Sequence, residues 1–262
     1  MSPRTALAVA ALASMACSAP ATAADGPPEA LALVDAMIEA HGGMEPWAGA
    51  LTVSFGDEFR PGEASSGPQM RVTVEQGPRR AYLDVVGTEM RMAWDGETAW
   101  SENWELPMPP RFLALLDYYF LNLPWLAHDP GVNLSEVGRA RIPGDPAEYR
   151  TVRMTFDPGT GDTPDDYYLL YVDPESHHLK ATEYIVTYRA VLGEGEESTT
   201  PHLLVYDEWT EVGGLTVPTH YTIYEGDAVY ATNQVHGWSI TEPFDLSRMA
   251  MPEGAVVDTS QP

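Results

Sequence analysis

The chain is poor in cysteine and lysine: Cys17 and Lys180 are the only examples of each among 262 residues. Cys17 lies within the first 24 residues, which have the anatomy of a cleaved leader. The remaining chain therefore has no thiol for a disulfide, a thiolate metal site or a cysteine nucleophile. Its stability must come from packing. Positive charge is scarce as well, with 14 Lys and Arg residues against 39 Asp and Glu and a net charge of −25. Binding to a nucleic-acid backbone or an anionic membrane surface draws on concentrated cations, and here the arginines are scattered singly or in pairs such as Arg79-Arg80. Nucleic acid is thereby excluded as a partner, and a solvated acidic surface accounts for the charge. Beyond the leader no segment is long and apolar enough to form an integral membrane span.

The leader carries Arg4 as its positive end, an apolar stretch over 6–16 that is too short to cross a bilayer, and the small-residue box Ala21-Thr22-Ala23. Residues 1–24 are thus expected to be a signal peptide and 25–262 a single domain, periplasmic or secreted. A second reading anchors the chain through lipid on Cys17. Ser14 weighs against it, because a lipoprotein signal places an aliphatic residue three positions before the cysteine.

Apolar residues make up 44% of the chain and include 7 Trp, 13 Tyr and 6 Phe, ample material for a core. Leu31, Val34, Met37 and Ile38 follow helical spacing over 28–40, ended by His41-Gly42-Gly43. From Leu51 the period falls to two, with strands expected at 52–55, 70–75, 81–86 and 89–94, and Asp95-Gly96 turning the last of these into 98–100. Phe112, Leu115, Leu116, Tyr119, Phe120 and Leu123 then recur at helical spacing after Pro109-Pro110, and Pro124 is expected to stop this helix. An irregular region follows, with Pro130, Pro143 and Pro146, before longer strands return at 149–156, 167–173, 179–188, 203–209, 217–224 and 229–239. Short turns such as Asp173-Pro174-Glu175 make neighbours antiparallel. The expectation is a mainly β (α+β) fold, one meander of roughly ten strands with an N-terminal and a central helix.

Chemistry-bearing motifs are few. The seven histidines form no His-Glu-x-x-His or His-x-His, and His177-His178 fall side by side in a turn, where adjacent side chains diverge. The run Asp157, Asp162, Asp165, Asp166 lacks the spacing of a calcium loop and reads as a solvated turn. No metal and no cofactor is expected. Without a Gly-x-Ser-x-Gly elbow, hydrolysis would depend on a chance carboxylate pair. In the last long strand Tyr230, Thr232, Gln234, His236 and Trp238 share one face, a candidate lining for a ligand.

The order of several segments resembles a known family. The segments are Ala40-His41-Gly42-Gly43, then Met90-x-Met92-x-Trp94-Asp95-Gly96-Glu97-Thr98-x-Trp100, then Leu123-Pro124-Trp125-Leu126-Ala127-His128-Asp129-Pro130-Gly131-Val132, then Tyr168-x-Leu170-Tyr171-Val172-Asp173-Pro174-Glu175. Together they resemble the LolA-like (periplasmic lipoprotein-localisation-factor-like) proteins, most of all an uncharacterised exported branch, over about Leu31 to Ser239. The resemblance implies a curved antiparallel half-barrel whose concave side is lidded by helices and encloses an apolar cavity for acyl chains.

On that basis the expected function is binding of a lipid or other long apolar small molecule, without catalysis, in envelope lipid or lipoprotein handling. An envelope lipoprotein is then a candidate partner. Expected ligand contacts from the strands are Met90, Met92, Trp94 and Trp100. From the helical region they are Phe112, Leu115, Leu116, Tyr119, Phe120 and Trp125. An exported ester or glycan hydrolase and a structural envelope protein with a filled core are the alternatives.

Overall fold

Alternation carries most of this architecture, and the departures from it position the site. The protein is described by a computed structural model of residues 23–262, so most of the leader, with Cys17, lies outside the described residues. Strands β1 (Thr52–Pro61), β2 (Gln69–Glu75), β3 (Arg80–Val85), β4 (Arg91–Trp94) and β5 (Ala99–Glu102) form a first meander. A second comprises β6 (Val132–Ala140), β7 (Tyr149–Phe156), β8 (Tyr168–Val172), β9 (Leu179–Tyr184), β10 (His202–Val212), β11 (Leu215–Glu225) and β12 (Ala228–Ser239). With the two-residue β13 (Val256–Val257) on the β5 edge, they make one open antiparallel sheet of 13 strands.

Two expectations are corrected here. The strands do not run as a single meander, because β1 pairs with β12 and leaves β5 and β6 in opposite arms of the sheet. There are also more strands than the roughly ten read from alternation. In β6 a register shift between Ser135 and Gly138 puts Val132 and Leu134 out of phase with Val137, which hides the period, and β13 is too short to show one. The outer edge of β6 is partly covered by the chain at Asp25, whose N–H donates to the Val132 carbonyl (2.9 Å) and whose carbonyl accepts from the Leu134 N–H (2.7 Å).

The chain must cross from one arm to the other between β5 and β6. It does so through α3 (Pro110–Leu113) and α4 (Leu116–Leu126), with α1 (Pro28–Ala40) and α2 (Met44–Gly49) completing the helical layer. The buried stripe of α1 is Ala30, Leu33, Val34, Met37 and Ile38, the i, i+3, i+4, i+7 pattern of a helix with one covered face. At its end, Gly42 takes φ 107°, and a Cβ there would lie 2.0 Å from the Gly214 carbonyl oxygen, so the close approach to the β10–β11 turn requires glycine. The neighbouring His41 is fully buried. Its Nε2 accepts from the Leu179 N–H (3.0 Å), which leaves Nδ1 as the protonated nitrogen donating to the Thr216 carbonyl (3.0 Å). Burial lowers its pKa to about 4. The Ala40-His41-Gly42-Gly43 segment is therefore a structural joint between helix and sheet.

Pro124 does not stop α4 as expected; it lies inside the helix. Proline removes the N–H that would bond the carbonyl four residues earlier, at Phe120. The buried Tyr206 hydroxyl of β10 donates to that same Phe120 oxygen at 2.6 Å. The sheet thus supplies the bond that the helix lacks, and helix and sheet are fastened at this point.

Faces are assigned by the sheet itself. Ala231, Asn233 and Val235 of β12 point inward, while His236 and Tyr230 are exposed on the outside. The proposed lining face of that strand is therefore the outer one for most of its length. At Gly237 (φ 60°) the strand bulges, and Trp238 turns in to meet Phe55 with ring centroids 5.0 Å apart.

Candidate ligand cavity

Between the arms, beneath α3 and α4, lies a cavity of about 390 Å³, within the range of small-molecule sites. The helical wall is Phe112, Ala114, Leu115, Leu116, Tyr119 and Phe120. One arm contributes Arg79 from the β2–β3 loop, Trp94 at the end of β4 and Gly96 from the next turn. From the other arm come Phe156, Tyr168, Val186 and Tyr188 together with the loop Gly159-Thr160-Gly161-Asp162-Thr163. Aromatic faces form much of the wall: Phe120 meets Tyr184 at 4.6 Å, Phe156 meets Tyr168 edge-on at 5.8 Å, and Phe112 meets Tyr188 at 5.1 Å.

Two arginines tie the mouth. Arg111 donates through Nε and Nη2 to both oxygens of Asp162 (2.7 and 2.8 Å) while its guanidinium lies 5.1 Å from the Trp94 ring centre. This joins helix α3 to the far arm. Arg79 donates to Asp129 at 2.5 Å and to the Tyr118 hydroxyl, joining the near arm to the end of α4. Burial raises Asp129, which the Arg79 charge opposes, and burial likewise raises Asp166, opposed by hydrogen bonds from Thr163 and Thr187. Of the acidic run read from sequence as a solvated turn, Asp157 and Asp165 are exposed, whereas Asp162 is paired with Arg111, Asp166 is buried, and both line the cavity. The C-terminal segment reaches the same mouth. Asp258 accepts from the Arg111 N–H (2.8 Å) and the Tyr188 hydroxyl pairs with Ser260 at 2.7 Å.

Of the residues expected to touch a ligand, Trp94, Phe112, Leu115, Leu116, Tyr119 and Phe120 are brought together on this cavity. The others lie elsewhere. Met92 is buried in the core. Met90 packs at the core margin, its sulfur accepting from the Glu105 N–H at 3.3 Å. Trp125 is held on the far side of α4, stacked on Trp47 at 4.8 Å and donating to the Gly43 carbonyl. Trp100 is on the outer face, because β4–β5 pairing sets Trp94 opposite Ala99 and Trp100 opposite Ala93. There the C-terminal segment covers it, and its Nε1 donates to the Met249 carbonyl at 3.3 Å. Sequence reasoning missed the far wall, Phe156, Tyr168, Val186 and Tyr188, which only the curvature of the sheet brings opposite Trp94.

A pair of acids is buried outside the cavity lining. Asp57 of β1 accepts from the Asn233 side-chain amide at 2.7 Å, and Asp117 is in the first turn of α4. Burial pushes Asp57 well up, with the Asp117 charge adding to the effect, and burial raises Asp117 to about 7. Asp57 is fully buried and Asp117 nearly so, and neither lines the cavity. Among the described residues no group of three or more His, Cys, Asp or Glu is placed to hold a metal ion, and no helix is long and apolar enough to cross a membrane.

No protein-family model matches the sequence, and no curated protein matches it. Among solved structures, the chain is similar to a LolA superfamily protein from Nitrosomonas europaea, with a TM-score of 0.50 and 10% identity over 82% of this chain and 94% of that one. An outer membrane lipoprotein-sorting protein domain from Vibrio parahaemolyticus gives 0.48 and 9%, over 82% of this chain and 96% of the other. A DUF1329 family protein from Desulfovibrio piger gives 0.48 and 8%, over 80% and 91%. At these identities the likeness is one of fold, and the fold is the LolA-like half-barrel that the sequence led us to expect.

Proposed function

We propose that this protein is an exported, non-enzymatic carrier that holds a lipid or other long apolar ligand between the arms of the half-barrel, in envelope lipid or lipoprotein handling. In this reading residues 1–24 are removed as a signal peptide and 25–262 act as one periplasmic or secreted domain. The observation that carries the proposal is the cavity itself: about 390 Å³ of space walled largely by aromatic and aliphatic side chains, with its two arginines paired to aspartates. Each methylene buried there would stabilise the complex by ~0.8 kcal/mol, before the cost of ordering chain and wall. The half-barrel fold supports the reading without identifying the ligand. Against a hydrolytic site, the acid pair Asp57 and Asp117 is buried and forms no part of the cavity lining.

The test is binding of an uncharged fluorescent probe such as N-phenyl-1-naphthylamine, alongside native mass spectrometry of the gently purified protein. The expected result is saturable binding by the parent and marked weakening in Leu116→Trp, which fills the cavity from its helical wall. Absence of binding by the folded parent, or undiminished binding by a folded Leu116→Trp, refutes the proposal.

A further inference from the structure

We infer that the amphiphile accepted by this cavity has a polar end without negative charge, either uncharged or cationic; the inference rests on the cavity reading above. The cavity wall includes two cations, Arg79 and Arg111. Each is already neutralised, Arg111 by both oxygens of Asp162 and Arg79 by Asp129. Asp166 also lines the cavity, and Asp258 reaches its rim through the Arg111 N–H. The cavity and its rim thus set four aspartates, Asp129, Asp162, Asp166 and Asp258, against two arginines, in a chain whose net charge is −25.

A carboxylate or phosphate entering here would share an arginine whose charge Asp162 or Asp129 already balances, or remain unpaired in a negative field where partial burial weakens solvent screening. An uncharged polar end meets no such penalty beside Thr160 and the glycine-containing loop that line the cavity. A cationic end gains from the field and from the aromatic ring of Tyr119. The acidity that argued against phosphate-bearing partners at the level of composition therefore acts at the site as a selector of headgroup.

Three ligands of equal chain length test the inference by displacement of N-phenyl-1-naphthylamine at pH 8 and low ionic strength: 1-monodecanoylglycerol, decylamine and decanoate. The first two are expected to displace the probe at concentrations at least about tenfold lower than decanoate, with the decylamine advantage shrinking in high salt as the field is screened. Asp162→Asn removes the carboxylate paired with the Arg111 guanidinium, so the potency of decanoate relative to monodecanoylglycerol should rise about tenfold. Decanoate matching the other two on the parent, or failing to gain in a folded Asp162→Asn, overturns the headgroup inference and leaves the carrier reading standing. If the probe and all three ligands fail to bind, the carrier reading falls and this inference with it. Should Asp162→Asn not fold, the comparison on the parent decides.

Discussion

Replacing Tyr206 by Phe isolates the bond that lets a proline sit inside α4. The Tyr206 hydroxyl is buried and donates to the Phe120 carbonyl at 2.6 Å, the acceptor that Pro124 deprives of its helical partner. Phenylalanine keeps the ring and its packing and removes only the donor, so the change strands a buried carbonyl, at a cost of about 1–3 kcal/mol. For a chain of this size that corresponds to a fall in Tm of roughly 2–4 °C per kcal/mol. The mechanism also names its own rescue. Pro124→Ala restores the N–H of position 124, which then bonds Phe120 within the helix, so Tyr206→Phe in that background should cost no more than about 0.5 kcal/mol. Urea unfolding of the parent, both single variants and the double variant gives the coupling directly. If Tyr206→Phe costs the same with Pro124 or Ala at position 124, the hydroxyl is not compensating for the proline and the reasoning is wrong.

Titration of the buried groups gives opposite signs at two places. Asp117 has its folded pKa raised to about 7, so the folded state binds the extra proton and stability falls as pH rises from about 4 to 7. Removing that ionisation with Asp117→Asn should flatten the stability–pH profile between about pH 4 and 8, and an unchanged profile contradicts the assignment. His41, lowered to about 4, works in reverse: the unfolded chain binds the proton first, so stability is lost as pH falls from about 6.5 to 4, by roughly 3 kcal/mol. An NMR titration that shows the His41 ring protonated at pH 6 in the folded protein would refute this. Asp258 caps the N-terminus of α3 from across the chain, taking the place of Pro109, which has no side-chain hydrogen bond there. Asp258→Ala should therefore cost about 1 kcal/mol in urea unfolding, and a neutral result would show that the cap does not contribute.

Much of this fold was legible because its strands are half-buried and their alternation shows one face. The expected hairpin at Asp95-Gly96 forms: Gly96 takes φ 103°, and the Asp95 carboxylate accepts from the Glu97 and Thr98 N–H groups. Alternation failed where the backbone shifts phase, at the bulge in β6 and at Gly237 in β12. It also left Trp94 and Trp100 undistinguished. Only the pairing of Trp94 with Ala99 shows that one tryptophan faces the cavity and the other the C-terminal segment. Pro124 misled for a different reason, since its missing bond is supplied by a tyrosine 82 positions later, a partner no local pattern announces. The helical part of the cavity lining followed from helical spacing, whereas the far wall depends on sheet curvature, which residue type alone does not encode.

The central claim is that an apolar chain lies between the arms beneath α4, and a photoactivatable long-chain alcohol carrying a diazirine on its tail tests this most directly. After illumination and peptide mapping, adducts should fall on the cavity wall, at Leu115, Leu116, Tyr119, Phe156 or Tyr168, and should disappear when excess monodecanoylglycerol competes. A second cavity, of about 440 Å³ and lined by Ile142, Leu203, Val205 and Tyr224, gives the contrasting outcome. Competable adducts there, with none between the arms, would contradict the account.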